Sequence, residues 1–274
     1  MTSSFASSSA ESSILERIFA AKRIELEAER AATPFEAIRE AARLAAPPRD
    51  FLAALRARRP AIIAEIKRAS PSKGDILPGL DPAAVAHDYA LSGAAAISVL
   101  TDRHFKGSLE DLRSVRKAVE LPLLRKDFIF DTYQLYQARA AGADCILLIA
   151  AMLKAANLRT LYLEARELGL QALVEVHNEE ELRIAADSRV EIVGINNRDL
   201  HTFVTDIAVT ERLLEGYGGA ALVVSESGID TPEDIQRLDR AGARAFLVGE
   251  SLLRGGHPRR KLEELSAALA RSGE

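Results

Sequence analysis

Short runs of β-branched and aliphatic residues recur along the chain, and most are apolar throughout rather than alternating. They are Ala61–Lys67, Ala95–Leu100, Leu121–Lys126, Cys145–Ala150, Ala172–Val176, Glu191–Asn196, Ala221–Ser225 and Ala245–Gly249. Unbroken apolar runs of this length are expected of parallel strands covered on both faces. Helical signals lie between them. Asp81-Pro82 and Thr231-Pro232 each offer an N-cap followed by proline at the first helical position. Asn178 with Glu181 resembles a capping box. Leu158, Leu161, Ala165 and Leu168 form a stripe at helical spacing, as do Leu262, Leu265 and Leu269. Strands alternating with helices predict parallel βαβ units, and eight of them in about 210 residues predict an α/β protein of the (β/α)8 TIM-barrel class.

Roughly 60 residues precede the first run. Ile14, Leu15, Ile18 and Phe19 mark one helix, and Pro34 to Ala42 and Arg49 to Arg58 read as two more, separated by Pro47-Pro48. An extension of this size packs across one end of a barrel or covers its mouth. Residues 1–12, rich in Ser and Ala, read as a disordered tail; they have neither the apolar core of a secretory signal nor the arginines of a transit peptide. Residues 13–274 read as one barrel domain that includes the helical extension, about 13–60, because no linker divides the barrel.

A few charges interrupt the apolar runs. Glu65 and Lys67 stand two residues apart, so a strand places both on one face. Burying such charges costs several kcal/mol unless they are paired or used. In a (β/α)8 barrel the chemistry lies at the C-terminal ends of the strands and in the loops that follow. The first strand delivers Glu65 and Lys67, with Ser70 in its loop; the third delivers Lys126, followed by Phe128. The fifth delivers Glu175, and the sixth Asn196 and then Arg198. Arg125 and Asp127 have the opposite parity to Lys126 and are expected to face the helices or the rim as salt bridges. Lys67 could also serve structurally, paired with Glu65 or Glu175. Ionisable or amide groups at the ends of four strands nevertheless point to one site.

The last two strands end in Ser225-Glu226-Ser227-Gly228 and Val248-Gly249-Glu250-Ser251. Loops seven and eight of such barrels commonly bind phosphate through backbone N–H groups, and small residues there let the backbone approach an anion. The alternative is that these glycines only make strand-to-helix turns. Glu250 would have to turn its carboxylate away from the anion.

Composition removes whole classes of function. A net charge of −4 lacks the basic surface of a nucleic-acid binder. No apolar run approaches the ~20 residues that span a bilayer. The single cysteine, Cys145, precludes an internal disulfide and fits a core position in a reducing compartment, so the cytoplasm is the expected location. The five histidines show no ligand spacing, and neither a dinucleotide fingerprint nor a Walker lysine motif is present, so neither a metal nor a cofactor is expected.

At the charged segments the chain resembles the indole-3-glycerol phosphate synthase family of tryptophan biosynthesis. The segments are Ile63-Ala64-Glu65-Ile66-Lys67-Arg68-Ala69-Ser70-Pro71-Ser72, Leu124-Arg125-Lys126-Asp127-Phe128, Val174-Glu175-Val176, Gly194-Ile195-Asn196-Asn197-Arg198-Asp199-Leu200 and Ser225-Glu226-Ser227-Gly228-Ile229. The similarity runs from about Ile14 to the C-terminal helix. It implies a cofactor-free ring closure of 1-(2-carboxyphenylamino)-1-deoxyribulose 5-phosphate to indole-3-glycerol phosphate, CO2 and water. It further implies that Lys126 is the general acid of the condensation, and that Glu175, Glu65 and Lys67 share the dehydration. Asn196 would orient the substrate and a neighbouring carboxylate, and Arg198 or Lys67 would hold the substrate carboxylate. Ser70, Ser227, Gly228, Gly249 and the backbone of Glu250 would hold the phosphate, with Phe105 and Phe128 flanking the aromatic ring. The expected partner is this small phosphorylated molecule, with no nucleic acid and no membrane. A monomer is expected, and association with other tryptophan-pathway enzymes is left open. Two rivals stand beside this reading: a Schiff-base aldolase using Lys126 or Lys67, and a sugar-phosphate-binding barrel without chemistry.

Overall fold

Ala61–Ile66 forms the first strand, β1, and every one of its side chains is buried. Alternation sorts them by destination: Ile62, Ala64 and Ile66 join the core shared with the helices, and Ala61 and Ile63 the core inside the barrel. The computed structural model describes residues 14–70, 74–77, 79–200 and 202–269; the expected tail over residues 1–12 lies outside them. Seven further strands follow: β2 (Ala96–Leu100), β3 (Leu123–Lys126), β4 (Cys145–Ile149), β5 (Gln171–Val176), β6 (Ile192–Asn196), β7 (Leu222–Glu226) and β8 (Ala245–Val248). Neighbours pair in parallel, and β1 closes the barrel between β8 and β2. This is the (β/α)8 architecture, and each strand lies within two residues of its expected run. A two-stranded ribbon, Ala69–Ser70 against Gly74–Asp75, decorates the loop after β1.

The parallel register brings the strand ends level. Leu100 pairs with Lys126, Ile149 with Glu175, and Asn196 with Glu226, all at the C-terminal rim. The helices begin where their caps dictate. Asp81 accepts from the Ala83 N–H with Pro82 at the first position, and Thr231 and Asp234 complete a reciprocal capping box. Only half of the expected Asn178–Glu181 box forms. Asn178 accepts from the Glu181 N–H, but the Glu181 carboxylate turns to the backbone N–H of His177.

The N-terminal extension forms α1 (Ile14–Ala32), α2 (Phe35–Leu44) and α3 (Phe51–Arg56), and it serves both ends of the barrel. Helix α3, capped by Asp50, plugs the N-terminal end: Phe51, Leu52 and Leu55 share one apolar cluster with Ala61, Ala95 and Cys145. Burying a side chain such as Phe51 contributes about 2–3 kcal/mol. Helix α2 packs on helix Thr132–Ala140, with Phe35 edge-on to Tyr136 at 5.0 Å. Helix α1 reaches the C-terminal end, where Lys22 meets Asp127 at 2.9 Å and Asp102 at 3.1 Å. Among the described residues no helix is long and apolar enough to cross a membrane.

Candidate active site

Lys126 ends β3 with its side chain directed into the barrel mouth. Its Nζ lies 2.9 Å from Glu175 Oε2 on β5 and 3.1 Å from Glu226 Oε2 on β7. Both carboxylates are almost fully buried. Asn196, at the end of β6, donates to Glu175 Oε1 at 3.1 Å. One step beyond β1, Lys67 pairs with Glu65 Oε1 at 2.8 Å, the nearer of its two expected partners.

These distances determine protonation. Burial works to neutralise Lys126, but Glu175, Glu226 and Glu65 outweigh it and hold the ammonium well above its ordinary range. Burial likewise opposes ionisation of Glu175, and Lys126 with His177 overcomes it, so this group stays a carboxylate far below the usual range. Glu226 fares differently. Burial pushes it up to about 7, because Lys126 is shared and Glu175 and Glu65 add repulsion. Its Oε1 is buried without a hydrogen-bond partner among the described residues. One ammonium thus faces two carboxyls, one ionised and one holding a proton near neutrality.

Two glycines make room for these groups. A Cβ on Gly194 would collide with Glu226 Oε1, and one on Gly249 with Glu65 Oε1. The reading of Gly249 as an open approach for an anion is therefore incomplete, because its missing side chain also accommodates a carboxylate. After β7 the chain turns through Ser227 (φ 65°) and Gly228 (φ 80°). The left-handed serine costs about 1–2 kcal/mol. At Gly228 a Cβ would strike the methyl groups of Thr205 and Ile207.

A cavity of about 340 Å³ opens over the ion cluster, with Leu100, Leu147, Ile149 and Leu247 among its apolar lining. Phe105 and Phe128 face each other across part of it, ring centroids 6.4 Å apart and tilted by 33°. The Arg198 backbone N–H donates to Asn196 Oδ1 at 3.0 Å and its Nε to Thr205 Oγ1 at 3.1 Å. Its Nη2 lies 3.6 Å from the Glu250 carboxylate, which Arg254 also binds. Two guanidinium groups therefore offset the charge at Glu250. Of the thirteen residues singled out from sequence, the structure brings twelve to this cavity: Glu65, Lys67, Phe105, Lys126, Phe128, Glu175, Asn196, Arg198, Ser227, Gly228, Gly249 and Glu250. Ser70 stands on the ribbon after β1, its side chain outside the described residues.

The family model for indole-3-glycerol phosphate synthase matches residues 15–265. The indole-3-glycerol phosphate synthase of Roseiflexus sp. (strain RS-1) is 52% identical over 262 residues, covering 92% of this chain and 97% of that protein. That of Chromobacterium violaceum is 49% identical over 259 residues, covering 93% and 98%. The chain belongs to the indole-3-glycerol phosphate synthase family. More distant solved structures share only the fold: thiamine phosphate pyrophosphorylase from Pyrococcus furiosus superposes with a TM-score of 0.58 at 15% identity, covering 78% of this chain and 96% of that one.

Three residues of this family member escaped the sequence reading. The apolar run of the seventh strand stops at Ser225, but the strand continues one residue further and turns Glu226 inward with Leu222 and Val224. Its signal was parity. Lys22 sits four residues from both Ile18 and Leu26, the buried positions of α1, and that spacing marked it for burial. His177 follows Glu175 by two residues, the same spacing as Glu65 and Lys67. Its ring Nε2 lies 3.2 Å from Glu175 Oε1. Arg125 and Asp127 do form the expected ion pair, at 2.9 Å, and Asp127 stands at the rim of the cavity.

Proposed function

We propose that this chain closes the indole ring of 1-(2-carboxyphenylamino)-1-deoxyribulose 5-phosphate, yielding indole-3-glycerol phosphate, CO2 and water, with Lys126 as the acid at the ketone. The observation that carries the reading is a buried ammonium shared between Glu175 and Glu226 beneath an open cavity. The ring carbon bearing the carboxylate attacks the ketone, and charge develops on the ketone oxygen. Lys126 supplies both a proton and a positive field there. The bond to CO2 then breaks and its electron pair restores aromaticity. Finally the new hydroxyl leaves as water while the adjacent carbon gives up its proton.

Dehydration needs a donor and an acceptor. Glu226, poised near pH 7, is the group that can hold a proton for the departing hydroxyl. The Glu65 carboxylate is the base, and Glu175 stays ionised to keep Lys126 charged. Lys67 and Arg198 hold the substrate carboxylate before it is lost, and Asn196 orients Glu175. Phe105 and Phe128 flank the aromatic ring. The phosphate rests on Ser70, Ser227, Gly228, Gly249 and the backbone of Glu250. Every one of these groups comes from one chain, so a monomer suffices for turnover, and a cytoplasmic setting suits the single buried thiol of Cys145.

A Schiff-base aldolase would need a neutral amine, activated by a lowered pKa. Lys126 is held in the opposite state. The deciding experiment adds the carboxyphenylamino-deoxyribulose phosphate and follows indole fluorescence, against a chain that contains no tryptophan. Formation of indole-3-glycerol phosphate is expected, with inorganic phosphate competing against substrate. A folded protein that makes no indole-3-glycerol phosphate, or a lysine adduct trapped by borohydride, would overturn the reading.

A further inference from the structure

His177 begins the loop after β5, one residue beyond Val176, and does not line the cavity. Its ring is nevertheless largely buried between two carboxylates. Nδ1 lies 3.2 Å from Glu181 Oε2, and Nε2 lies 3.2 Å from Glu175 Oε1. Glu181 is itself fixed, accepting from the His177 N–H at 2.8 Å and from Asn178 Nδ2 at 2.7 Å. Nε2 is off the line required for a hydrogen bond, so its link to Glu175 is an ionic contact rather than a directional one. The departure from the expected capping box thus has a use: Glu181 gives up the N-cap backbone to hold an imidazole.

We propose that His177 is a positioning residue for Glu175. Clamped by Glu181, it presents a positive charge to Oε1 of Glu175, so that Oε2 remains on Lys126. The charged groups that face the ring are Glu175 of β5 and Glu181 of helix Glu179–Asp187; Asn196 of β6 shares Oε1 of Glu175 without adding charge. Burial lowers the pKa of His177, but the two carboxylates win and push it up to about 10, so the ring is an imidazolium at neutral pH. With this second cation, Glu175 does not draw a proton from Lys126 when Glu226 competes for the same ammonium. His177 stands outside the cavity lining, so its effect passes through Glu175. The inference rests on the acid and base roles given under Proposed function.

The test compares the full-length protein with His177→Gln, Glu181→Gln, their double variant and Glu175→Gln, reading kcat, KM, the pH profile of kcat and the melting temperature. His177→Gln keeps a side-chain amide without the charge. It should lower kcat about tenfold, the equivalent of about one pKa unit on Glu175, with little change in KM. The deficit should be constant from pH 6 to 8 and shrink as pH approaches 10, because the wild-type ring then loses the charge that the variant lacks. Glu181→Gln should give a smaller loss of the same kind that adds nothing in the His177→Gln background. If Glu175→Gln is crippled while His177→Gln keeps its kcat and pH profile, the proposal is wrong and the site roles stand. A lowered melting temperature with kcat intact would make His177 purely structural and would also overturn it. If Glu175→Gln itself turns over normally, the site roles fall and the proposal with them.

Discussion

Two clusters of buried charge lie back to back on the strand ends, and they are built in opposite ways. Around Asp127 the cations prevail. Arg125 Nη2 and Lys22 Nζ each approach to 2.9 Å, and Thr101 Oγ1 and the Phe128 N–H donate as well. Burial alone would raise the Asp127 pKa, but Arg125 and Lys22 hold it well below the carboxylate range. Around Lys126 the carboxylates prevail. Glu175, Glu226 and Glu65 all act on one ammonium; Glu65 also has Lys67 and Glu175 has His177, whereas Glu226 depends on Lys126 and is pushed up to about 7. Consecutive residues, Lys126 and Asp127, belong to different clusters: Lys126, the last residue of β3, meets Glu175 and Glu226, and Asp127, just beyond it at the rim of the same cavity, meets Arg125 and Lys22. A carboxylate with both oxygens occupied, as at Asp127, stabilises; one with a bare oxygen beside a cavity, as at Glu226, can move protons.

The sharpest test of this contrast exchanges one lysine in each cluster. Lys126→Met should lower turnover by about 100-fold or more. Its melting temperature should move less than that of a Lys22 variant, because Glu226 can take up a proton and Glu175 retains Asn196 and His177. A change in turnover below about threefold would remove Lys126 from the acid role. Lys22→Met should show the reverse. It leaves Asp127 and Asp102 without their shared cation and should cost about 3 kcal/mol in denaturant unfolding at pH 7, with kcat per folded molecule little changed. A loss under about 1 kcal/mol would mean that the cluster around Asp127 is not the structural clamp its geometry indicates.

The contrast also explains which parts of the molecule were legible in the sequence. The apolar runs of a parallel barrel are dictated by burial on both faces, so all eight strands could be located from the pattern of apolar positions. Charges that break such runs stand out against that background, which is why Glu65, Lys67, Lys126 and Glu175 were found. Glu226 was lost to a one-residue error in a strand end, where local sequence is least decisive. Lys22 and His177 depend on tertiary proximity. The first meets Asp102 and Asp127 only when α1 crosses the rim, and the second meets Glu181 only because the capping box forms by half. The glycines were ambiguous for a similar reason. Nothing local to Gly249 reveals that the carboxylate of Glu65, from the neighbouring strand, fills the space where its side chain would be.

The smallest expected effect separates the clusters by pH. Asp127 and Glu175 have folded pKa values below their unfolded ones, so their contribution to stability is present above about pH 4 and is lost as pH falls further. Glu226 runs the other way. Its value rises from 4.5 unfolded to about 7 folded, so the native state binds the proton more tightly, and stability declines as pH rises from 4.5 to 7. Above that window the full cost of ionising Glu226 persists. His177, raised from 6.5 to about 10, adds a second decline over that higher range. Glu226→Gln should therefore raise the melting temperature at pH 8 by about 2 °C or more and leave it nearly unchanged at pH 4.5. The acid-side loss from Asp127 and Glu175 should survive the substitution. Thermal unfolding of wild type and variant across pH 4 to 9 measures the difference directly. A stability gap independent of pH would show that Glu226 keeps its unfolded pKa in the fold, and the proton assigned to it for dehydration would have to come from elsewhere in the site.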